Sequence, residues 1–172
     1  RANYALKHGE WREKYPNSGQ IKEMRSSTIG LIGFGAIGRL VVGLLRPFHC
    51  CILINDPYVP KEEIEKYGCK AVSKEELLKE ADIVSLHGRI GPNDPPIIGK
   101  KELSMMHKNS YLINTARAVL VDMDALYEAL KAHDIMGAAI DVFPKEPLPD
   151  NYPLLSLDNC TLTNHRGGDT ID

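Results

Sequence analysis

Aromatic residues are scarce in this chain, at 6% of 172 residues with a single tryptophan. No apolar run approaches the ~20 residues that a membrane-spanning helix needs. Charge of one sign is also lacking. Lys+Arg number 21 and Asp+Glu 23, for a formal net charge of -2. Such a balance offers nothing to a nucleic acid or an anionic membrane. Cys50, Cys51, Cys69 and Cys160 include no C-x-x-C pair and no zinc-type spacing, so no metal is expected. They read as reduced, mostly buried thiols of a cytoplasmic protein. The opening Arg1-Ala2-Asn3 is neither an initiator Met nor a signal peptide, and reads as the middle of something longer. The remaining composition, 43% hydrophobic and 26% charged, is that of one ordinary globular domain.

What is present alternates. From residue 28 on, short apolar runs are separated by amphipathic stretches. Strands are expected at Thr28–Gly33, Cys51–Asn55, Asp82–Leu86, Tyr111–Asn114, Met136–Val142 and Cys160–Thr163. Helices are expected at Ala36–Leu45, stopping before Pro47, and at Lys61–Tyr67, closed by Gly68. A third should run from the Ser73-Lys74-Glu75-Glu76 capping box to about Ala81. Two more are expected at Lys100–Met106 and, behind an Asp122 cap, Met123–Ala132. Gly88–Gly99, with Pro92, Pro95 and Pro96, and the proline-rich Phe143–Asp158 read as loops. Strands joined through helices imply a parallel sheet covered on both faces, with right-handed crossovers. The fold class is a doubly wound α/β domain over residues 28–172. Residues 1–27 break the alternation and read as a helix end, Ala5-Leu6-Lys7-His8, then an irregular arm through Trp11 and Tyr15.

Gly33-Phe34-Gly35-Ala36-Ile37-Gly38 is G-x-G-x-x-G. Alone the pattern is weak. Here a strand precedes it, a helix follows, and Asp56 ends the next strand. Gly33 permits a tight turn, Gly35 admits a pyrophosphate to the backbone, and Gly38 lets helix and strand pack closely. The pyrophosphate would rest on the free N–H groups of the helix start, at Ala36 and Ile37. Asp56 would accept bonds from the adenosine ribose and repel a 2′-phosphate, favouring NAD over NADP.

Three further residues follow strands at the edge where such sheets place their chemistry: Arg117, Glu146 and His165. Reducing a 2-oxo acid requires a cation for its carboxylate and a proton donor near neutral pH. Arginine provides the first and histidine the second. A carboxylate beside the histidine would orient it and favour its protonated form. Taken singly, Glu146 is a solvated loop carboxylate and His165 a polar loop residue; their joint placement carries the functional reading. Of the other histidines (8, 49, 87, 107 and 133), His87 ends a strand at the right edge and is read as a cofactor-loop residue.

Gly30 to Gly38, Ala81 to His87, Asn114-Thr115-Ala116-Arg117, Asp141-Val142-Phe143 with Glu146-Pro147, and Asn159 to Gly168 together resemble the D-isomer-specific 2-hydroxyacid dehydrogenases. The resemblance covers nearly the whole chain in order. It implies a Rossmann-type NAD-binding domain, NAD as cofactor, a small 2-hydroxy or 2-oxo acid as substrate, and a homodimer through this domain. Residues 1–27 would be the crossover and dimer arm. Arg117 would bind substrate, with His165 as acid/base and Glu146 as its partner. Arg117 and His165 would also border the cofactor. Asp141 would touch the nicotinamide carboxamide, while Thr115 and Ala116 line the groove. The family's smaller substrate domain is missing here, so the chain should bind NAD without turnover. Departures from the pattern are Asn164 for proline, Ala118 for glycine, Gly91 and Asp94 for threonines, and Arg89 at an apolar or proline position. One alternative is a non-catalytic NAD-sensing module like the C-terminal-binding co-repressors, which look alike at the triad. Another is a related two-domain enzyme such as alanine dehydrogenase or adenosylhomocysteine hydrolase, against which the Asn114–Arg117 run with Glu146 and His165 argues.

Overall fold

Strands and helices alternate in a computed structural model that describes residues 6–9, 11, 22–91 and 94–168. In chain order they are β1 (Thr28–Ile32), α1 (Ala36–Leu45), β2 (Cys51–Asn55), α2 (Lys61–Glu65), β3 (Lys70–Ala71) and α3 (Lys74–Glu80). There follow β4 (Ile83–Leu86), α4 (Lys100–Leu103), β5 (Tyr111–Asn114), α5 (Met123–Lys131), β6 (Gly137–Ile140) and β7 (Cys160–Leu162). The strands form one seven-stranded sheet in the order β3-β2-β1-β4-β5-β6-β7. Every pairing is parallel. The chain winds outward from β1 to β3, then returns to β4 on the far side of β1. That reversal opens a crevice at the carboxyl ends of β1 and β4, where such sheets bind ligands.

Both faces of the central strands are buried, which is why they read as continuous apolar runs. In β2, Ile52 and Ile54 join the core cluster beneath α1, while Leu53 joins the cluster beneath α3 and α5. The second cluster includes Leu77, Leu78, Val84, Leu86, Leu112, Leu126 and Leu130, all fully enclosed. Burying each such side chain is worth about 1.5–3 kcal/mol. Gly30 lets α3 close on β1: a Cβ there would lie 2.5 Å from Leu77 Cδ2. Ser73 and Asp122 cap α3 and α5 as expected, accepting from Glu76 N and from Asp124 N and Ala125 N.

Several boundaries differ from expectation. β1 stops before Gly33, whose φ of 101° takes the chain out of the sheet. The Lys61–Tyr67 helix ends at Glu65; Gly68, with φ 73°, closes the turn through its N–H to Glu65 O. The Lys100–Met106 helix ends at Leu103, and the long Met136–Val142 strand is paired only over Gly137–Ile140. Edge strand β3 was not expected, nor was the 3-10 turn Pro153–Ser156 inside the loop before β7. Of the cysteines only Cys69 is buried; the other three are half-buried, and all are free. Burial pushes the Cys69 and Cys160 thiols up to about 11, so neither is a reactive thiolate.

At the amino edge, Asp82 accepts from Thr28 N at 2.9 Å and pairs with Lys22 at 2.6 Å. Near His8, Gly9 N donates to Leu6 O at 3.2 Å. Tyr15 and most of the expected arm lie outside the described residues, as do Pro92 and Asn93. Among the described residues no helix is long and apolar enough to cross a membrane, and no cluster of side chains could hold a metal ion.

Candidate active site at the carboxyl edge of the sheet

The glycine turn connects β1 to α1. A Cβ on Gly33 would sit 2.4 Å from Gly88 N, and one on Gly38 would sit 2.5 Å from Gly33 O. Both glycines are therefore required by the protein itself. Gly35 differs. Its φ of -77° suits any residue, and nothing lies within 4 Å of where its Cβ would be. The space it leaves lies over the start of α1, whose N-cap has no side-chain acceptor. The first-turn N–H groups there have no intrahelical partner. This is a cradle for an anion that approaches the backbone, as a pyrophosphate does. Asp56 stands beside it at the end of β2. Its carboxylate accepts from Phe34 N at 2.7 Å and from Tyr58 N at 2.8 Å, tying the turn to β2. Phe34 is buried, with the Arg39 guanidinium 4.5 Å from its ring centroid.

Beyond β5, Asn114 is fully buried and shapes the next turn. Its Nδ2 donates to Arg117 O at 2.9 Å, and its Oδ1 accepts from Ala116 N at 3.1 Å. The turn delivers Arg117 to the surface, where its guanidinium donates to Ala116 O at 2.6 Å. Thr115, Ala116 and Arg117 line a cleft of ≈ 580 Å³ together with Ile37 and His87. His87 shares a 3.0 Å hydrogen bond with Ser85 Oγ. Burial holds its pKa below the ordinary histidine value, so it stays neutral near pH 7.

The third element is the loop after β7. His165 has φ 57°, a left-handed conformation that costs a non-glycine residue about 1–3 kcal/mol. Asp141, at the end of β6 and only 4% exposed, holds it there. Its carboxylate accepts from Thr163 Oγ1 at 2.6 Å, Arg166 N at 3.0 Å and Gly167 N at 2.9 Å. Burial alone would raise the Asp141 pKa, but these bonds bring it below the ordinary carboxylate range. His165 Nδ1 lies 2.8 Å from Glu146 Oε2, and Glu146 Oε1 accepts from Phe143 N at 2.9 Å. The bond to Glu146 and its charge raise the His165 pKa; Asp141 adds to this, and the nearby Arg117 charge opposes it. The same bond lowers the Glu146 pKa. The structure thus brings Arg117, Glu146, His165 and Asp141 to the edge that carries the glycine turn.

The family model for the "D-isomer specific 2-hydroxyacid dehydrogenase, NAD binding domain" matches residues 1–167. The chain belongs to this dehydrogenase family. It is 43% identical over 171 residues to a D-3-phosphoglycerate dehydrogenase of Methanocaldococcus jannaschii, covering 98% of this chain and 32% of that protein. With a glyoxylate reductase of Korarchaeum cryptofilum the identity is 37%, over 95% of this chain and 50% of the relative. The crystal structure of a D-lactate dehydrogenase with NAD+ from Lactobacillus jensenii superposes with a TM-score of 0.85 at 32% identity, over 98% of this chain and 53% of that one. The chain therefore spans between a third and about half of the relatives it matches. It is their NAD-binding domain, and these relatives give the co-repressor alternative no support.

In the dehydrogenase domain the residues present fit NAD. The open Gly35 cradle suits its pyrophosphate, and Asp56 keeps lone pairs for ribose hydroxyls. Three of the departures from the family pattern, Ala118, Gly91 and Asp94, also find physical accounts. Ala118 begins the 3-10 turn Ala118–Leu120 and has no positive φ, so a Cβ is tolerated. Asp94 turns back to accept from Gly91 N at 2.7 Å, which commits its side chain to the loop. Sequence reasoning assigned no role to Asn114, Thr163 or Ser85. Thr163 acts by bonding Asp141, which the fold brings near, while Asn114 and Ser85 bond neighbours two or three residues away.

Proposed function

We propose that the protein carrying this domain reduces 2-oxo acids to D-2-hydroxy acids with NADH and catalyses the reverse oxidation. The observation behind this reading is the His165–Glu146 pair at 2.8 Å, held by Asp141, on the same sheet edge as the Arg117 guanidinium, which has no ion-pair partner among the described residues. NAD, when bound, supplies the acceptor or donor of hydride. Arg117 holds the substrate carboxylate in its planar fork and polarises the neighbouring carbonyl. His165 commits Nδ1–H to Glu146, leaving Nε2 to exchange a proton with the substrate oxygen. In reduction His165 gives that proton, and in oxidation it takes it. Glu146 favours the protonated ring. Asp141 fixes the loop and retains acceptor capacity for the nicotinamide carboxamide. Gly33, Gly35, Ala36, Ile37, Gly38 and Asp56 hold the dinucleotide, with His87, Thr115 and Ala116 along the groove.

The protein is read as cytoplasmic and as a homodimer through this domain. Support for the dimer comes from the α1 surface, where Leu40 and Leu44 are 64% and 72% exposed and Phe48 follows at helical spacing.

The test is NADH consumption by the whole protein with glyoxylate, pyruvate and hydroxypyruvate, with the configuration of the lactate and glycerate formed from the last two determined. D-products are expected. Replacing His165 by Ala should cost roughly 10²–10⁴-fold in kcat with NADH affinity retained. An L-product, or full activity without His165, would contradict the assignment.

A further inference from the structure

Leu86 and Asn114 are register partners on the adjacent strands β4 and β5. Arg89 and Arg117 each lie three residues beyond them. The topology therefore starts the two arginine-bearing loops from the same edge, on strands about 4.8 Å apart. The path to Arg89 is fixed from below. His87 N donates to Ile32 O at 2.7 Å, and Gly88 packs against the glycine turn. Arg89 is exposed and lines the same ≈ 580 Å³ cleft as Arg117, His87 and Thr115. Among the described residues neither arginine has an ion-pair partner. The acid of the Arg89 loop, Asp94, is occupied by Gly91 N. Two unpaired cations face one cleft, and the carboxylate of a simple 2-oxo acid satisfies only one of them.

We propose that Arg89 is a specificity-determining residue that binds a second anionic group, a phosphate ester or carboxylate, at the far end of a 2-oxo acid whose own carboxylate rests on Arg117. The inference rests on the reaction proposed above. The guanidinium fork matches either anion in a bidentate manner. Its exposed position makes the contact sensitive to salt.

The test compares kcat/KM of the whole enzyme, at saturating NADH, for 3-phosphohydroxypyruvate against hydroxypyruvate and for oxaloacetate against pyruvate. Within at least one pair the acid with the extra anion should be preferred. Arg89→Ala should lower that ratio by about ten- to a hundred-fold, the worth of one charge-assisted contact. Arg89→Lys should restore part of it, and added salt should shrink the preference. An unchanged ratio in Arg89→Ala, or a wild-type preference for the simpler acid in both pairs, would overturn the proposal. So would an equal weakening of NADH binding to the domain, which would place the guanidinium on the cofactor's pyrophosphate. Failure to reduce any 2-oxo acid would refute the underlying reaction, and the proposal with it.

Discussion

Replacing Asp56 should change which dinucleotide this domain prefers. A carboxylate has about four acceptor sites. In Asp56 two are used by Phe34 N at 2.7 Å and Tyr58 N at 2.8 Å, which leaves two for ribose hydroxyls. Hydrogen bonds to a charged group contribute about 1.5–3 kcal/mol each. Asp56 is only half-buried, so the lower figure applies. Losing both bonds should weaken NADH binding by roughly a hundred-fold. For NADPH the effect has the opposite sign. A 2′-phosphate near Asp56 meets a repulsion of about 1 kcal/mol per unit charge at ~4 Å in a water-like medium, and this disappears with the carboxylate. The preference for NADH should therefore fall by about two to three orders of magnitude in Asp56→Ala. Asp56→Asn separates charge from structure, because its amide oxygen can still accept from Phe34 N. Calorimetric titration of both variants with NADH and NADPH gives the ratio. If Asp56→Asn keeps the wild-type ratio, the carboxylate serves only to cap two backbone N–H groups.

Removing the Glu146 charge by Glu146→Gln should lower the His165 pKa, since Glu146 is the main group that raises it. The alkaline limb of reduction, where His165 loses its proton, and the acid limb of oxidation, where it must lose one, should both move to lower pH; unshifted pH–rate profiles would reduce Glu146 to a loop carboxylate. Asp141→Asn places a donor against Gly167 N and should cost about 1–3 kcal/mol in denaturant unfolding. The wild-type carboxylate is held below its ordinary range, so its contribution is present above about pH 4 and lost as pH falls through the lower folded value; the variant should lose that acid dependence, and an identical acid profile would contradict the clamp. Sedimentation of the domain at micromolar concentration should show a dimer that Leu44→Glu converts to monomer, and a wild-type monomer would count against the α1 interface.

Much of this organisation is legible in local sequence. Strand β2 and helix α1 match their expected bounds because one is a fully apolar run and the other a helical stripe stopped by Pro47. β3 could not be read this way: it is two residues long, at the sheet edge, and is defined only by pairing Lys70 and Ala71 with β2. The residues proposed as catalytic were legible as types following strands. Their supports were not. Asp141 acts through bonds to Thr163, Arg166 and Gly167, whose proximity exists only after folding, whereas Asn114 bonds within its own turn, at Ala116 and Arg117. His49 and His133 share the left-handed backbone of His165, and at His165 the Asp141 bonds to Arg166 N and Gly167 N hold the loop that carries it.

The claim that the glycine turn holds NAD is tested most directly by titrating NADH into this chain and into Gly35→Leu. A leucine there enters open space at an ordinary φ, so the variant should fold with near-normal stability. The account predicts saturable binding of one NADH per wild-type chain, little or no 2-oxo acid turnover, and loss of binding in Gly35→Leu. Equal NADH affinity in a folded Gly35→Leu, or no binding by the wild type, would contradict it.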